Sequence, residues 1–470
     1  MVFSSLIFLF SFLPIVLFGN WVFKSKRIWQ NSFLLIASLF FYAWGEGEKI
    51  ILMIVSILIN YIVGRIIGNN LNKPKAKTAL IVGVVLNLGI LLYYKYMGFF
   101  VENINVLLDL FEISAIEFKP ETLPIGISFY TFQALSYVID VYRKETPYQK
   151  NPFNLGLYIA LFPQLIAGPI VRYNDIDQEL IKRDETTDKL AEGTRRFLIG
   201  LSKKVLLANN LGVIVDQIFD LPPDTVETPV LWVGMIAYSL QLYFDFSGYS
   251  DMAIGLGRMF GFTFPENFNF PYTAQSIQDF WRRWHITLSV WFRDYLYIPL
   301  GGNRINNTRT YFNLFIVFLA TGMWHGASWN FIIWGLLHGF FIIIERLGFN
   351  KILEKAPAIF RTAYTLFVVM FAWVLFRAED LTYGLDYIFH LIKPSNSAIY
   401  SFDEMVSTFA LLVLLTSSLL ATPLFFNIKL KIDKTVAGKI LSDTLLILFF
   451  IVCISELISS TYNPFIYFRF

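Results

Sequence analysis

The sequence predicts an all-α protein that is embedded in a membrane and crosses it many times. Hydrophobic residues make up 56% of the 470 residues and charged residues only 16%, and the mean hydropathy is +0.56. This composition leaves too little polar surface to cover several water-soluble domains. Apolar runs of the roughly 20 residues that a helix needs to cross a hydrocarbon core recur along the chain. We therefore expect about eleven transmembrane helices in a single membrane domain that covers residues 1–470.

The apolar runs form a regular and an irregular group. The irregular runs 31–45, 122–142 and 153–171 are shorter or contain residues such as Pro124 and Pro163. Irregular backbone at membrane depth is tolerated only inside protein or along a water-filled cavity, so we expect broken or re-entrant helices around a buried cavity. The regular runs are 2–22, 50–68, 78–99, 229–246, 310–325, 328–346, 360–377, 405–427 and 438–459.

The basic residues predict the orientation in the membrane. Lys and Arg favour the cytoplasmic side, and two basic clusters that are separated by two crossings can both lie there, which puts the N-terminus outside. The two halves of the chain show no matching pair of interrupted helices, so a transporter built from inverted repeats gains no support. The two clusters are Lys24, Lys26 and Arg27, and Lys73, Lys75 and Lys77.

Charge and motifs exclude several other classes of function. The net charge of +3 is too dilute over 470 residues for a nucleic-acid-binding surface. Because Cys453 is the only cysteine, disulfides and cysteine-based zinc sites are excluded. The sequence lacks an HExxH motif, a nucleophile elbow and a phosphate-binding loop, so we expect no metal site, although His285 and His325 could converge. The glycines expected to serve close helix packing rather than a phosphate cradle are Gly248, Gly255 and Gly257.

Three segments hold most of the polar residues. Residues 172–209 and 262–309 are predicted to lie at the cytoplasmic interface, and residues 378–404, which include His390, are predicted to form a surface loop. In the first segment Lys203 and Lys204 lie opposite an apolar helical face, which is the pattern of an interfacial helix. That face consists of Phe197, Leu201, Val205 and Leu206.

The second segment contains an aromatic and basic stretch at 278–295. Apolar residues at three- and four-residue steps predict one continuous helix with a single apolar stripe. Two interpretations stay open. The helix is an anchor at the lipid headgroups, or Arg282 and Arg283 bind the phosphates of an anionic donor that arrives from the cytoplasm. The stripe consists of Phe280, Trp284, Leu288, Trp291 and Tyr295.

His325 is the first candidate for catalysis. It follows the apolar run 314–323 and lies between Gly322 and Gly326. Ionisable groups within membrane spans are costly and are functional candidates by default, and burial favours the neutral imidazole that a general base requires. The alternative is a histidine that hydrogen-bonds backbone where two helices meet, which is how we interpret His338.

Several motifs resemble those of the membrane-bound O-acyltransferase (MBOAT) family, in the same order along the chain. The matching stretches run from residue 124 to the C-terminus. The resemblance is in particular to the bacterial branch whose members acetylate alginate or peptidoglycan, with the teichoic-acid D-alanyl transferases as cousins. The motifs are Phe244-Asp-Phe-Ser-Gly-Tyr-Ser-Asp, Pro265-Glu-Asn-Phe-Asn-Phe-Pro-Tyr, Phe280-Trp-Arg-Arg-Trp-His-Ile-Thr-Leu-Ser, Tyr297-Ile-Pro-Leu-Gly-Gly-Asn-Arg and Met323-Trp-His-Gly.

The resemblance implies helices around a central tunnel, which an acyl thioester enters from the cytoplasm and an acceptor hydroxyl enters from the opposite side. His325 matches the membrane-embedded histidine of the family and would act as the general base. His285 matches the family's second polar position and would orient donor or acceptor. The resemblance also implies acetyl-coenzyme A as the donor substrate, with no bound cofactor. The donor-binding candidates are Arg282, Arg283, Trp284, Lys203 and Lys204.

The same resemblance implies a place and partners. It implies the inner membrane of a bacterium, a cell-envelope polysaccharide as acceptor and an extracytoplasmic acetyltransferase as partner. The aromatic tail at residues 463–470 resembles the tail of the acetyltransferase branch, where Tyr467 would take the acyl group from the donor and pass it to the partner. The alternative for Tyr467 is an anchor, because Tyr is enriched at membrane interfaces.

We therefore expect a membrane O-acyltransferase that moves an acetyl group from a cytoplasmic thioester toward an extracytoplasmic polysaccharide hydroxyl. Three alternatives stay open. The first is a D-alanyl transferase that uses a carrier-protein thioester, against which the self-contained tail argues. The second is a channel or flippase in which His325 lines a polar path. The third is a scaffold subunit for a catalytic partner.

Overall fold

The protein is helical over the part that its computed structural model describes, which is residues 1–395, 398–460 and 462–465. Within these ranges strand-type pairing is limited to one isolated bridge between Val226 and Tyr400. The predicted all-α class is confirmed.

The helices vary from single turns to more than thirty residues. In chain order the first are α1 Leu13–Val22, α2 Arg27–Glu46, α3 Ile50–Asn69, α4 Pro74–Asp109, α5 Ile127–Arg143, α6 Pro152–Ala160, α7 Phe162–Leu165, α8 Tyr173–Ile181, α9 Thr187–Ser202, α10 Asn209–Phe219 and α11 Thr228–Met259. The later ones are α12 Ile277–Trp281, α13 Ile286–Phe292, α14 Asn307–His325, α15 Trp329–Ile344, α16 Asn350–Leu353, α17 Ala358–Arg377, α18 Leu381–Ile392, α19 Phe402–Met405, α20 Thr408–Leu420, α21 Leu424–Ile432 and α22 Val436–Ser459.

The chain forms two compact units. The first unit consists of Met1–Phe197 and Met252–Pro265, and the second consists of Leu198–Asp251 and the chain from Glu266 onward. Both candidate histidines, His285 and His325, lie in the second unit.

Six helical stretches in the described ranges are long and apolar enough to cross a membrane. The bent pair α20 and α21, which turns by 66°, adds a seventh if it is one span. This is fewer than the predicted number of about eleven. Two predicted spans are short, since the apolar helix at Phe8–Val22 falls below 18 residues and α5 has 17, and the helices α2 and α3 form one continuous stretch. The six stretches are Arg27–Asn69, Pro74–Asp109, Thr187–Phe219, Trp329–Leu353, Ala358–Arg377 and Val436–Ser459.

Two of the three irregular runs lie inside the first unit, as predicted. In α5 every residue from Ile127 to Val138 is buried. The run that contains Pro163 is a broken helix, because Leu161 leaves helical geometry between α6 and α7, and every residue over 155–171 is buried. The prediction is wrong for the run 31–45, which is part of the regular helix α2 and exposes several apolar side chains.

Two segments differ from the prediction. The helix that begins at α9 continues through a π-helical turn at Lys203–Ala208 into α10, and Thr187–Phe219 is one of the six apolar stretches rather than a short interfacial helix. Its apolar face packs inside the protein, with Leu201 and Val205 buried. The predicted surface loop at 378–404 contains α18, because the spacing of Gly384, Tyr387 and Leu391 lets that helix bury one face.

Candidate active site

His325 lies at the tip of a tight helical hairpin. It is the last residue of α14, and α15 begins only four residues later at Trp329. The two helices approach backbone to backbone, because a Cβ atom built on Gly335 would lie 2.4 Å from the Phe318 carbonyl oxygen and one built on Gly322 would lie 2.4 Å from the Phe331 carbonyl oxygen. Small residues allow such close contact between membrane helices. The glycines therefore set the position of His325.

A second contact fixes the tip of the hairpin. The Asn330 side chain, which is buried at the start of α15, donates to the carbonyl oxygen of Ala378 at 2.9 Å and to that of Leu375 at 3.3 Å. These carbonyls belong to the end of α17. The loop after His325 is thereby tied to a third helix.

The His325 ring is surrounded by aromatic rings. It is 4% exposed, and its centroid lies 4.9 Å from Trp324, 4.9 Å from Trp334 and 5.1 Å from Phe376, each in an edge-to-face arrangement. The carbonyl-rich C-terminal end of a helix favours positive charge. An imidazole at this place is thus shielded from water by apolar rings while the helix end stabilises the imidazolium that forms when the ring accepts a proton.

His285 lies where the predicted continuous helix breaks. The stretch at 278–295 forms α12 and α13 with a turn between them, and His285 has a left-handed backbone with φ of 44°. Left-handed geometry is uncommon for residues other than glycine, and such strain concentrates at functional sites. The stripe residues are buried on both sides of the break, so they are core residues rather than a headgroup anchor. They are Phe280, Trp284, Leu288, Trp291 and Tyr295.

Asn267, which the sequence reasoning did not single out, holds His285 in place. Its side-chain oxygen accepts from the Thr287 backbone N–H at 3.2 Å and the Thr287 hydroxyl at 2.9 Å, and it lies 3.2 Å from His285 Nδ1. The side-chain nitrogen of Asn267 donates to the Ser250 hydroxyl at 3.2 Å. The backbone carbonyl oxygen of Asn267 accepts from the Ile286 backbone N–H at 3.0 Å. Asn267 therefore joins the turn at His285 to α11.

These contacts determine the tautomer of His285. The atom of Asn267 that faces the Thr287 N–H is an acceptor, because a backbone N–H can only donate. His285 Nδ1 must then carry the proton that it shares with this oxygen. Burial lowers the pKa of His285 to about 3, so the ring is neutral near pH 7 and its lone pair resides on Nε2. His285 is thus prepared to accept a hydrogen bond or a proton at Nε2.

The structure brings the two histidines to one tryptophan. The Trp324 ring lies 5.8 Å from the His285 ring and 4.9 Å from the His325 ring, measured between centroids. The His285 ring also contacts the Phe246 ring of α11, with 4.7 Å between the centroids. Two buried imidazoles within one aromatic cluster form a site suited to moving protons in the absence of bulk water.

The other two histidines, His338 and His390, have different surroundings. His338 is fully buried in α15, and its Nδ1 accepts a hydrogen bond from Trp281 Nε1 at 3.3 Å, which agrees with the predicted packing role, although its partner is a side chain rather than backbone. His390 lies in α18 and forms an ion-pair contact with Asp386 at 3.3 Å. Within the described ranges no group of three or more His, Cys, Asp or Glu side chains could hold a metal ion.

The donor-binding candidates separate into two groups. Arg282 is exposed at the end of α12, and Arg283 is half-buried and pairs with Asp279 at 2.9 Å. The N-terminus of α12 is held by Glu345, whose carboxylate accepts from the backbone N–H groups of Ile277 and Gln278. The two arginines therefore directly follow a short helix whose N-terminus is held in place.

The remaining donor-binding candidates are engaged inside the protein. Trp284 is 2% exposed and packs against Trp373 at 5.0 Å. Lys203 pairs with Asp251 at 2.7 Å and Lys204 pairs with Asp245 at 2.7 Å. Both lysines lie on the π-helical turn at Lys203–Ala208, and both pair with carboxylates of α11.

The glycine prediction is confirmed at the same helices. In the second unit a Cβ atom on Gly248 would lie 2.8 Å from the Gly200 carbonyl oxygen, and in the first unit one on Gly255 would lie 2.6 Å from the Gly193 carbonyl oxygen. Gly257 packs against the Phe264 ring at 2.6 Å by the same measure. Gly248 and Gly255 therefore allow close helix contact, whereas Gly257 makes room for a side chain of the loop after α11.

Part of the aromatic tail is described and packs against the second unit. Tyr462 donates to Asp216 at 2.6 Å, and the ring of Phe465 stacks on Tyr249 at 4.7 Å. Tyr467, the proposed acyl carrier, lies outside the described residues.

Comparison with known proteins adds the following similarities. The chain is 41% identical to the probable alginate O-acetylase AlgI of Pseudomonas putida, over 100% of both proteins. It is 36% identical to a peptidoglycan O-acetyltransferase of Helicobacter pylori, over 87% of this chain and 83% of the relative. It is 32% identical to a teichoic acid D-alanyltransferase of Bacillus subtilis, over 54% of this chain and 67% of the relative.

The family model of the membrane-bound O-acyltransferases matches residues 142–385. This range includes the hairpin with His325, the turn at His285 and Asn267. The long apolar helices fit a protein that crosses the membrane repeatedly. The chain therefore belongs to the MBOAT family and is a multi-pass membrane O-acyltransferase.

Proposed function

We propose that this enzyme transfers an acetyl group from a cytoplasmic thioester, acetyl-coenzyme A, toward a hydroxyl of an extracytoplasmic polysaccharide, and that it resides in the inner membrane of a bacterium. The observation that carries the proposal is the pair of buried histidines whose rings both contact Trp324. The names of its relatives, alginate O-acetylase and peptidoglycan O-acetyltransferase, support acetyl as the group and a polysaccharide as the acceptor.

His325 is the proposed general base. Its neutral ring takes the proton of the attacking hydroxyl while the hydroxyl oxygen forms a bond to the thioester carbonyl carbon. When the tetrahedral intermediate collapses, the carbon–sulfur bond breaks and the imidazolium returns the proton to the thiolate. The products are an ester and a free thiol, and the histidine ends neutral. The apolar rings around His325 exclude water that would otherwise compete as the acceptor.

His285 is the proposed orienting group. Because Asn267 keeps the proton on Nδ1, Nε2 can accept a hydrogen bond from the acceptor hydroxyl or receive its proton. A ring that is hydrogen-bonded to an amide oxygen and packed against Phe246 and Trp324 loses little freedom on binding. This role makes His285 a catalytic residue that assists His325.

The donor phosphates are proposed to meet Arg282 and Arg283. Guanidinium groups suit phosphate oxygens because of their planar, bidentate geometry. Lys203, Lys204 and Trp284 fit this task less well, since the lysines are paired with carboxylates and the tryptophan is buried in the core. We therefore limit the proposed phosphate site to the two arginines.

Tyr467 is the proposed acyl relay. Its hydroxyl attacks the thioester, His325 moves the proton from the hydroxyl to the departing sulfur, and an acetyl-tyrosine ester results. A hydroxyl of the extracytoplasmic partner then attacks this ester, the bond to the tyrosine oxygen breaks, and the tyrosine regains its proton. The docking of Tyr462–Phe465 in the unit that holds both histidines supports this order of events.

The test is transfer of labelled acetyl from acetyl-coenzyme A to the purified protein, followed by peptide mapping. We expect label on Tyr467 in the parent, and its loss in His325→Asn and in Tyr467→Phe. His390→Ala is the control, because His390 lies in α18 outside the aromatic cluster, and it should label like the parent. Equal labelling in His325→Asn would refute the base. If the parent accepts label only from a D-alanyl carrier-protein thioester, the donor assignment is wrong while the acyl chemistry stands.

A further inference from the structure

The described part of the C-terminal tail is held by polar contacts and by a ring contact. Tyr462 donates to the Asp216 carboxylate at 2.6 Å, the Lys204 ammonium donates to the Pro464 carbonyl oxygen, and the Phe465 ring stacks on Tyr249. The Asn209 side chain also donates to the Asn463 side-chain oxygen at 3.4 Å, so all four residues of the segment are engaged. The tail is thereby fixed along its length rather than at one point.

The Lys204 contact is unusual because the lysine is buried. Lys204 is 3% exposed, and its partner Asp245 is 2% exposed at 2.7 Å. Burying an ion pair carries a large desolvation cost, which is offset only when further hydrogen bonds satisfy the remaining protons. The Pro464 carbonyl is such a partner. Pro464 also lacks a backbone N–H, so this part of the tail presents an acceptor to the lysine without a donor beside it.

The Asp216 contact is part of a second ion pair. Asp216 on α10 also pairs with Arg377 of α17 at 3.0 Å, so the tail bonds a carboxylate that is already fixed. Gly212, one turn earlier on α10, makes room for the Tyr462 hydroxyl, since a Cβ atom there would lie 2.8 Å from it. A larger residue at position 212 would push the tail away.

The tail ends its described course close to the histidine site. Tyr249, on which Phe465 stacks, lies three residues after Phe246 on α11, and Phe246 contacts the His285 ring at 4.7 Å. Three residues of α-helix rise only about 4.5 Å. Tyr467 follows Phe465 by two residues, which span at most about 7 Å.

We propose that Lys204, Asp245 and Asp216 form a clasp that holds Tyr462–Phe465 on the enzyme. The clasp rests on the proposed acyl relay and adds a positioning function to it. A held tail keeps Tyr467 at high effective concentration beside the histidines. It follows that the extracytoplasmic partner must come to the tail, because the tail does not leave the enzyme to reach the partner.

The experiment measures tail release and acyl transfer in the same full-length preparations. Carboxypeptidase is added to the purified protein, and mass spectrometry follows the appearance of the shortened chain that has lost Phe465. Cleavage of a transiently opened segment tracks the population of the open form. We expect Lys204→Gln and Tyr462→Phe to release Phe465 about tenfold faster or more, since each loses a hydrogen bond to a charged group. Acetyl label on Tyr467 should appear at least about tenfold more slowly in both variants.

The controls separate the clasp from general damage. Lys429→Gln breaks a lysine–aspartate pair on α21 with Asp433 and should leave both rates unchanged. Tyr462→Phe introduces no unpaired buried charge, so it stays informative if Lys204→Gln fails to fold.

The outcomes distinguish the clasp from the relay. Equal release of Phe465 in the parent, Lys204→Gln and Tyr462→Phe would overturn the clasp. Faster release with an unchanged rate of Tyr467 labelling would overturn its positioning function. If the variants release Phe465 faster but the parent never acquires label on Tyr467, the clasp is supported and the relay is refuted.

Discussion

Replacing Asn267 with aspartate should make the enzyme sensitive to mild acid. The carboxylate keeps an acceptor for His285 Nδ1 and for Thr287, so the local geometry is retained. A carboxylate at hydrogen-bond distance favours the imidazolium and raises the pKa of a histidine by about 1–3 pH units. In the parent, burial lowers the pKa of His285 to about 3, and the ring stays neutral across the working range.

The size of the effect follows from the neutral fraction of the ring. With a pKa of about 3 the ring is about 99% neutral at pH 5, whereas a rise of two pH units in the pKa leaves about half of it neutral. If Nε2 of His285 must hold a lone pair, a pKa rise of two to three pH units should lower the ratio of the Asn267→Asp rate to the parent rate about two- to tenfold between pH 8 and pH 5.

The assay is the initial rate of acetyl transfer from labelled acetyl-coenzyme A at several pH values. Asn269→Asp is the matched control, because it makes the same chemical change at an exposed residue two positions away. A rate ratio for Asn267→Asp that does not change with pH, or that changes equally for Asn269→Asp, would refute the assignment of a neutral, Nδ1-protonated His285.

Three further predictions concern binding and stability. Replacing Arg282 and Arg283 together with glutamine should raise the KM for acetyl-coenzyme A about tenfold or more at low salt, and the difference should shrink in high salt because screening weakens charge contacts. Gly335→Ala should lower the free energy of unfolding by about 1–3 kcal/mol, since the new methyl group would lie 2.4 Å from the Phe318 carbonyl oxygen. The parent should lose thermal stability as the pH falls from about 6.5 toward 3, because the unfolded state protonates His285 and the folded state does not, and His285→Gln should reduce this loss.

Each of these has a control and a contradicting result. Arg293→Gln removes an exposed arginine outside the proposed phosphate site, and an equal rise in KM there would argue against the site. Gly89→Ala adds a methyl group where the protein has open space, so a Tm change equal to that of Gly335→Ala would refute the packing argument. If His285→Gln keeps the full acid dependence of the Tm, other groups cause it.

The sequence alone determined the class of the protein and named candidates for its site. Composition and apolar runs predict a helical membrane protein, because any segment with that many apolar side chains must bury them in lipid or protein. His325 became a candidate because an ionisable residue at the end of an apolar helix is costly. Gly248 and Gly255 were interpreted correctly because small residues between apolar neighbours mark close helix contacts.

Other features required the tertiary structure. The break at His285 was missed because the apolar period stays in phase across it, and periodicity does not register one positive φ angle. The ion pairs of Lys203 and Lys204 were missed because their partners on α11 are about 40 or more residues away in sequence. Local spacing predicts which residues share a face, but it does not identify the segment that packs on that face. Asn267 and the clasp of the tail depend on such distant partners, so only the folded chain decided them.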